Sequence, residues 1–231
     1  MTVALEGFHA VKHALRFAPA LVRRITVVSF SSTLDLCQSL APDVREALLA
    51  LAVEGPVAHP TGVQGEASRP VEDRSVLRVR SAPLVLLDDP RHPGNAGAAI
   101  RVAAAAGASG VAVLGSLDPW HPAVLRGAAG LHFALPVLAC LLPEIAGPVF
   151  ALDADGEPFT GLPDDAVLVV GSERAGIGLD TRARADRVVA LPMRAGVSSL
   201  NVATAVSAAL YAWRLAPLTT PCAATRTARP E

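Results

Sequence analysis

No run of roughly 20 apolar residues occurs in this 231-residue sequence, although 52% of it is hydrophobic. The aliphatic stretches are short and broken by Gly, Pro, Asp or Arg, so no membrane-crossing helix is expected and no membrane partner. The N-terminus, MTVALEGFHAVKHALRF, has no basic segment followed by an apolar stretch and a cleavage site. A soluble, cytoplasmic protein is the expectation. Cysteine is scarce: Cys37, Cys140 and Cys222 stand far apart with no CxxC or Cys/His ligand spacing, which points to reduced thiols and no metal. Lysine is almost missing, Lys12 being the only one among 20 basic residues, and the formal charge is −1. That balance excludes a purely electrostatic nucleic-acid binder, so any such contact must be local. Internal repeats are absent, and so is the GxGxxG of a dinucleotide-binding dehydrogenase.

What is present reads as two compact units. In the first, Phe8, Val11, Ala14 and Leu15 recur at helical spacing between Glu6 and Phe17, and Arg23 to Phe30 reads as a β-branched strand. Leu34 to Leu40 and Asp43 to Val53 are expected helices separated by Pro42, and Val76 to Arg80 is a short candidate strand. Gly55 to Pro70, between them, is rich in Gly and Pro. A boundary falls near Ser81 to Pro83, beyond which buried strands alternate with helices. PLVLLDD, GVAVLG, PVFALD, AVLVVGSE and RVVALP are the strands, with helices over Asn95 to Ala106 and from about Ser199 to Leu215. An α/β fold with a parallel sheet follows. After Ala216 the composition turns poor in apolar residues and rich in helix breakers, so residues 216–231 are expected to be a disordered tail.

Three segments carry candidate chemistry. HPGNAGAAIRVAAAAGA, from His92 to Ala108, opens a helix after a strand; Asn95 suits its N-cap, Gly94 and Gly97 allow close backbone approach, and Arg101 can reach an anion near the helix start. A capped helix with a solvated Arg is the plainer alternative. VLVVGSERAGIGLD delivers Gly171, Ser172 and Glu173 from a buried strand into a loop with Gly176 and Gly178, at the strand edge where open α/β sheets bind ligands. A simple strand-to-helix turn would also fit. In ALPMRAGVSSLNVATAVSAALYAW, a strand ends at Pro192 and Ser199 can cap a helix of small residues, with Asn201 in the first turn. Ser198, Ser199 and Asn201 could equally be a capping cluster and nothing more.

In order and spacing these segments resemble the three motifs of the SpoU (TrmH) branch of the SPOUT class: PGN…R, GSE…G and PM…SLN. The likeness covers Leu84 to Leu215 and implies an S-adenosylmethionine-dependent RNA methyltransferase acting on a ribose 2′-hydroxyl. It also implies a parallel sheet closed by a C-terminal trefoil knot, over residues 83–215, and an obligate homodimer. By the same resemblance Gly171, Ser172, Glu173, Gly176, Leu191, Met193, Ser199 and Leu200 hold the cofactor. Arg101, Asn95, Glu173, Ser199 and Asn201 serve catalysis, with Glu173, Ser199 and Asn201 orienting Arg101 and the ribose. An arginine is too basic to abstract a proton readily, so phosphate positioning suits Arg101 better.

Two departures stand out: Ala128 replaces a Ser common in the family, with loss of a possible RNA contact, and GSER replaces GSEG, placing Arg174 beside the pocket. LEGFHAVKHAL, from Leu5, resembles the start of an L30e-like RNA-binding domain, here residues 1–80. Nine basic against eight acidic side chains give that segment a net charge of +1. Lys12, His13, Arg16, Arg23 and Arg24 gather along one helix and the following turn, and with Arg126 and Arg174 form the expected RNA contacts. A front domain favours rRNA over tRNA. The rival reading from another class is a catalytically silent RNA-binding or ribosome-assembly factor that keeps the knotted fold.

Overall fold

The structure, a computed structural model, describes residues 1–216; the expected tail and Cys222 lie outside the described residues. The chain opens with β1 (Thr2–Glu6), α1 (Phe8–Phe17), β2 (Val22–Val27), α2 (Phe30–Leu40), α3 (Arg45–Leu51), β3 (Ala52–Glu54) and β4 (Val63–Ser68). These strands form one sheet in the order β1-β4-β2-β3. β4 runs antiparallel to both β1 and β2, and β3 pairs parallel with β2.

Several expectations for this part need correction. The first helix starts at Phe8, because Gly7 sits at φ +86 and ends β1 there. Glu6 is therefore a strand residue. β4 lies inside the Gly- and Pro-rich stretch, where VQGEAS alternates buried and exposed positions. Val76 to Arg80 forms no strand: the Asp73 carboxylate accepts from Ser75 N at 3.0 Å and winds Arg74–Leu77 into a 3₁₀ turn. Arg23 and Arg24 are strand residues of β2, not part of a turn after α1.

Then come β5 (Leu84–Asp88), α4 (Pro93–Ala106), β6 (Gly110–Leu114), α5 (Pro122–Gly127), β7 (Val137–Ala139), β8 (Val149–Pro158), β9 (Val167–Val170), α6 (Leu179–Arg184), β10 (Arg187–Ala190) and α7 (Val202–Leu215). They build a six-stranded sheet in the order β10-β8-β9-β5-β6-β7. Every neighbouring pair is parallel. β5, β6 and β9 are buried at every position, as unbroken aliphatic runs require when both faces are covered. Val85 and Leu87 face α4 and α7, joining Ala99, Ala103, Val206 and Leu210 in one core. Leu84 and Leu86 face the other way, with Leu77, Leu138 and Val149. Small residues let α4 and α7 approach closely, and Gly107 at φ +77 stops α4 with a left-handed cap.

The core under the first sheet is not made by that sheet's own residues alone. Phe8, Val11, Ile25 and Leu48 pack there with Trp120, Leu125 and Phe133 from the α5 region. Gly130, at φ +76, carries no Cβ because one would lie 2.8 Å from Ala10 of α1. His13 of α1 also bonds the Ala129 carbonyl through Nδ1 at 2.7 Å. Cys37 and Cys140 are free and buried, and burial above all pushes the Cys140 thiol up to about 12. No helix among the described residues is long and apolar enough to cross a membrane, and no cluster of His, Cys, Asp or Glu there could hold a metal.

Candidate active site

The site forms beyond the C-terminal ends of β5 and β9, the edge at which parallel sheets present their loops, and against the middle of β8. β9 ends at Val170. At Gly171 a Cβ would run into the Gly176 backbone, so only glycine allows the loop to fold back there. Ser172 and Gly176 then exchange backbone bonds of 2.9 and 3.1 Å, with Gly176 at φ +67. The loop's far end is pinned by Asp88, a buried carboxylate at the end of β5 that accepts from Gly178 N at 2.7 Å. Asp88 was not among the residues singled out from the sequence. Its signal there is an acid closing a five-residue aliphatic strand.

Glu173 stands at the centre of a chain of bonds that crosses all three motifs. Its Oε1 accepts from Asn95 Nδ2 at 2.9 Å and its Oε2 from Arg91 N at 3.2 Å. Asn95 Oδ1 in turn accepts from Asn201 Nδ2 at 3.1 Å. Asn201 uses its own Oδ1 to cap α7, accepting from Ala203 N at 2.9 Å and Thr204 N at 3.4 Å. Burial alone would raise the Glu173 pKa, but the bonds from Asn95 and from backbone N–H groups outweigh it and hold the carboxyl below its usual range. Glu173 is thus an ionised acceptor at neutral pH and a weak base.

A cavity of about 570 Å³ opens beside this chain, roofed by Leu152 and Asp153 of β8. Its volume falls in the roughly 300–1,000 Å³ range of small-molecule sites. Gly171, Ser172, Glu173 and Gly176 line one side, and Leu191, Met193, Ser199 and Leu200 the other. Arg174 also lines it, exposed. Next to the cavity Arg182 bridges Asp153 and Asp155 at 2.6 and 2.8 Å, tying α6 to β8.

Other expected residues are placed differently. Pro93 opens α4 after His92 at the cap, so Asn95 lies inside the first turn and its carboxamide is left for Glu173 and Asn201. Ser199 caps nothing; α7 starts at Val202 with Asn201 as its cap. Arg101 lies two turns into α4, exposed, outside the cavity, and makes no hydrogen bond or ion pair among the described residues. Glu173 therefore orients Asn95 and not Arg101. Ala128 is fully buried, its backbone N 2.8 Å from where a Cβ on Gly97 would lie, so this is a packing position between α4 and α5 and not a surface contact.

The expected RNA-binding side chains are dispersed. Arg16 is held in a two-bond pair by Asp43 at 2.6 Å, and Arg126 by Glu6 at 2.6 Å. Arg23 donates to Ser68 Oγ at 2.9 Å. Arg24 shares a groove on the first sheet with Glu6, Glu54 and Glu66. Lys12 is half-buried on α1.

The sequence profile of the SpoU rRNA methylase family matches residues 82–211, more than half of the chain. The chain belongs to this family. It is 29% identical over 227 residues to the 23S rRNA (guanosine(2553)-2′-O)-methyltransferase RlmP of Bacillus subtilis, covering 91% of this chain and 87% of that protein. It is 34% identical over 170 residues to the 23S rRNA (uridine(2479)-2′-O)-methyltransferase of Streptomyces viridochromogenes. That alignment covers 66% of this chain and 59% of the Streptomyces protein. The crystal structure of the SpoU methyltransferase AviRb from Streptomyces viridochromogenes superposes with a TM-score of 0.70 at 26% identity, covering 91% of this chain and 88% of that one.

Proposed function

We propose that this chain is an S-adenosylmethionine-dependent methyltransferase that acts on a ribose 2′-hydroxyl of rRNA. The observation that carries it is the bonded chain Glu173–Asn95–Asn201 on the rim of a cavity large enough for a nucleoside cofactor. The cavity fits that cofactor chemically: the wall at Gly171 and Gly176 is bare backbone, and among the described residues a Cβ placed on Gly176 would meet nothing within 4 Å beyond its own chain neighbours. Gly171 to Gly176 and Leu191 to Leu200 would hold it, largely through main-chain groups. When bound, S-adenosylmethionine supplies a methyl group already activated on a sulfonium.

The protein's task is then to bring a weak nucleophile into line, which is where most of the rate can come from. Asn95, Ser199 and Asn201 present polar groups to the ribose at the cavity rim. Glu173 fixes the Asn95 carboxamide and keeps its negative charge. Arg101 holds a backbone phosphate of the substrate, since a guanidinium keeps its proton and binds phosphate well. The hydroxyl proton leaves to solvent at the open rim; the carbon–oxygen bond gained would replace the methyl group's bond to sulfur, with the demethylated thioether as the other product.

The relatives' names favour rRNA over tRNA as substrate. Residues 83–215 act as the catalytic domain, and residues 1–80 as an L30e-like domain that binds RNA. A C-terminal trefoil knot is supported by the strand order, in which the chain passes from β10 at the sheet edge back to α7 against α4. A homodimer completes the assembly, and light scattering should find twice 23.7 kDa. One observation favours a silent binding factor instead: Arg101 stands apart from the cavity.

The experiment that decides is methyl transfer from labelled S-adenosylmethionine to unmodified 23S rRNA transcript, with the parent chain and Arg101→Ala. The parent should transfer to a 2′-hydroxyl. The variant should not, while its cofactor affinity by calorimetry stays within a few-fold. Cofactor binding by the parent without any transfer would overturn the enzyme in favour of the silent factor.

A further inference from the structure

α1 carries His9, Lys12, His13 and Arg16 on one face, at i, i+3, i+4 and i+7. Two of these are committed: His13 bonds the Ala129 carbonyl, and Arg16 is paired with Asp43. His9, exposed, and Lys12, half-buried, make no hydrogen bond or ion pair among the described residues. What they face follows from the packing of α4. Gly97 abuts the α5 backbone at Val124 and Ala128, and the corner after α5 abuts α1, Gly130 against Ala10. Arg101 is one turn beyond Gly97, so it leaves α4 on this same side.

Here we propose that His9, Lys12 and Arg101 together form one seat for an RNA phosphodiester, bridging the first sheet's helix and the catalytic half. The inference rests on the rRNA methyltransferase reading and assigns to it a positioning contact from α1. Lys12 and Arg101 are cations to which no carboxylate is bonded among the described residues, and His9, its pKa held below the usual range, adds a neutral ring N–H beside them, so an arriving phosphate meets two unneutralised charges and a donor. Burial first, then Lys12 and Arg101, lowers the His9 pKa; burial first, then Arg16 and Arg101, lowers that of Lys12. Asp43, the one acid near enough to raise Lys12, is already bound to Arg16.

Charge elsewhere favours this side as the RNA face. The open groove of the first sheet is lined by Glu6, Glu54 and Glu66 with Arg24 as its one basic lining residue, while Glu6 is paired with Arg126. The seat also lies about 9 Å along α4 from Asn95, six residues at 1.5 Å each. A phosphate fixed there anchors the strand that presents its ribose to the cavity rim.

The test measures binding and methylation of unmodified 23S rRNA transcript by the parent, Lys12→Ala, His9→Ala, the double variant and Lys12→Arg. Lys12→Ala should raise KM for the RNA about tenfold with kcat nearly unchanged, and flatten the salt dependence of binding by about 0.7–0.9 in log–log slope, one phosphate contact's worth. Lys12→Arg should restore both values, and calorimetric affinity for S-adenosylmethionine should not change in any variant. Parental slope and KM in the double variant would overturn the seat alone, as would a Lys12→Ala defect that Lys12→Arg leaves unrepaired. Absence of transfer by the parent chain would overturn the underlying reading, and the seat with it.

Discussion

Acidification from pH 6.5 to about 4 should cost the fold about 3 kcal/mol through a single side chain, His132. The ring is 1% exposed and packs against Trp120, tilted by 54° with 4.8 Å between centroids. Its Nε2 lies 2.8 Å from the Pro119 carbonyl, which can only accept, so Nε2 carries the proton and Nδ1 is left as a bare lone pair. Nδ1 is buried without a partner. Burial above all, aided by Arg69 and opposed by the Pro119 bond and Asp118, pushes the pKa down from 6.5 to about 4. The sign follows from which state takes the proton. Below 6.5 the unfolded chain binds it and the folded chain does not, so this stability is complete above 6.5 and drains away as the pH falls through the folded value. The rate is about 1.4 kcal/mol per pH unit. Urea unfolding at pH 6 and pH 5 should show that excess loss in the parent relative to His132→Phe. Parallel losses in the two proteins would refute the argument.

Three further outcomes test the site. Gly171→Ala pushes a methyl into the Gly176 backbone, so calorimetry should find S-adenosylmethionine binding weakened at least about tenfold and the fold destabilised by about 1–3 kcal/mol; unchanged affinity would contradict a main-chain cradle. Glu173→Gln keeps the shape but turns an amide donor or a neutral acceptor toward Asn95 and Arg91 N, so single-turnover transfer should fall by about 2 kcal/mol of barrier, about thirtyfold, with cofactor affinity nearly intact. Asn201→Ala removes both the α7 cap and the bond to Asn95; thermal unfolding should report about 1 kcal/mol of lost stability, and both binding and transfer should suffer.

The strands that were legible from the sequence are those whose burial leaves no choice. β5, β6 and β9 are unbroken aliphatic runs because helices cover one face and further core the other. β4 was hidden by its surroundings: its glycine, Gly65, is forced by the Arg24 carbonyl 2.9 Å from a would-be Cβ, a cross-strand fact that no local pattern carries. VLRVR has the alternation of a strand, yet the Asp73 hydrogen bond upstream winds its first two residues, Val76 and Leu77, into the end of a 3₁₀ turn. At the site, residue types and loops could be read, but bonds could not. Asn95 looked like a cap because its contacts, Glu173 and Asn201, lie 78 and 106 positions away. Arg101 looked like their companion because the helix face it shares with Gly97 is set by α5.

The shared packing of Trp120, Leu125 and Phe133 under the first sheet bears on how such chains can be cut and recombined. A fragment ending near residue 81 would leave three large hollows where those rings and branches belong, and its partner fragment would carry three greasy side chains into water. Grafting a different front module onto this catalytic half would succeed only if the donor's floor matched those three shapes.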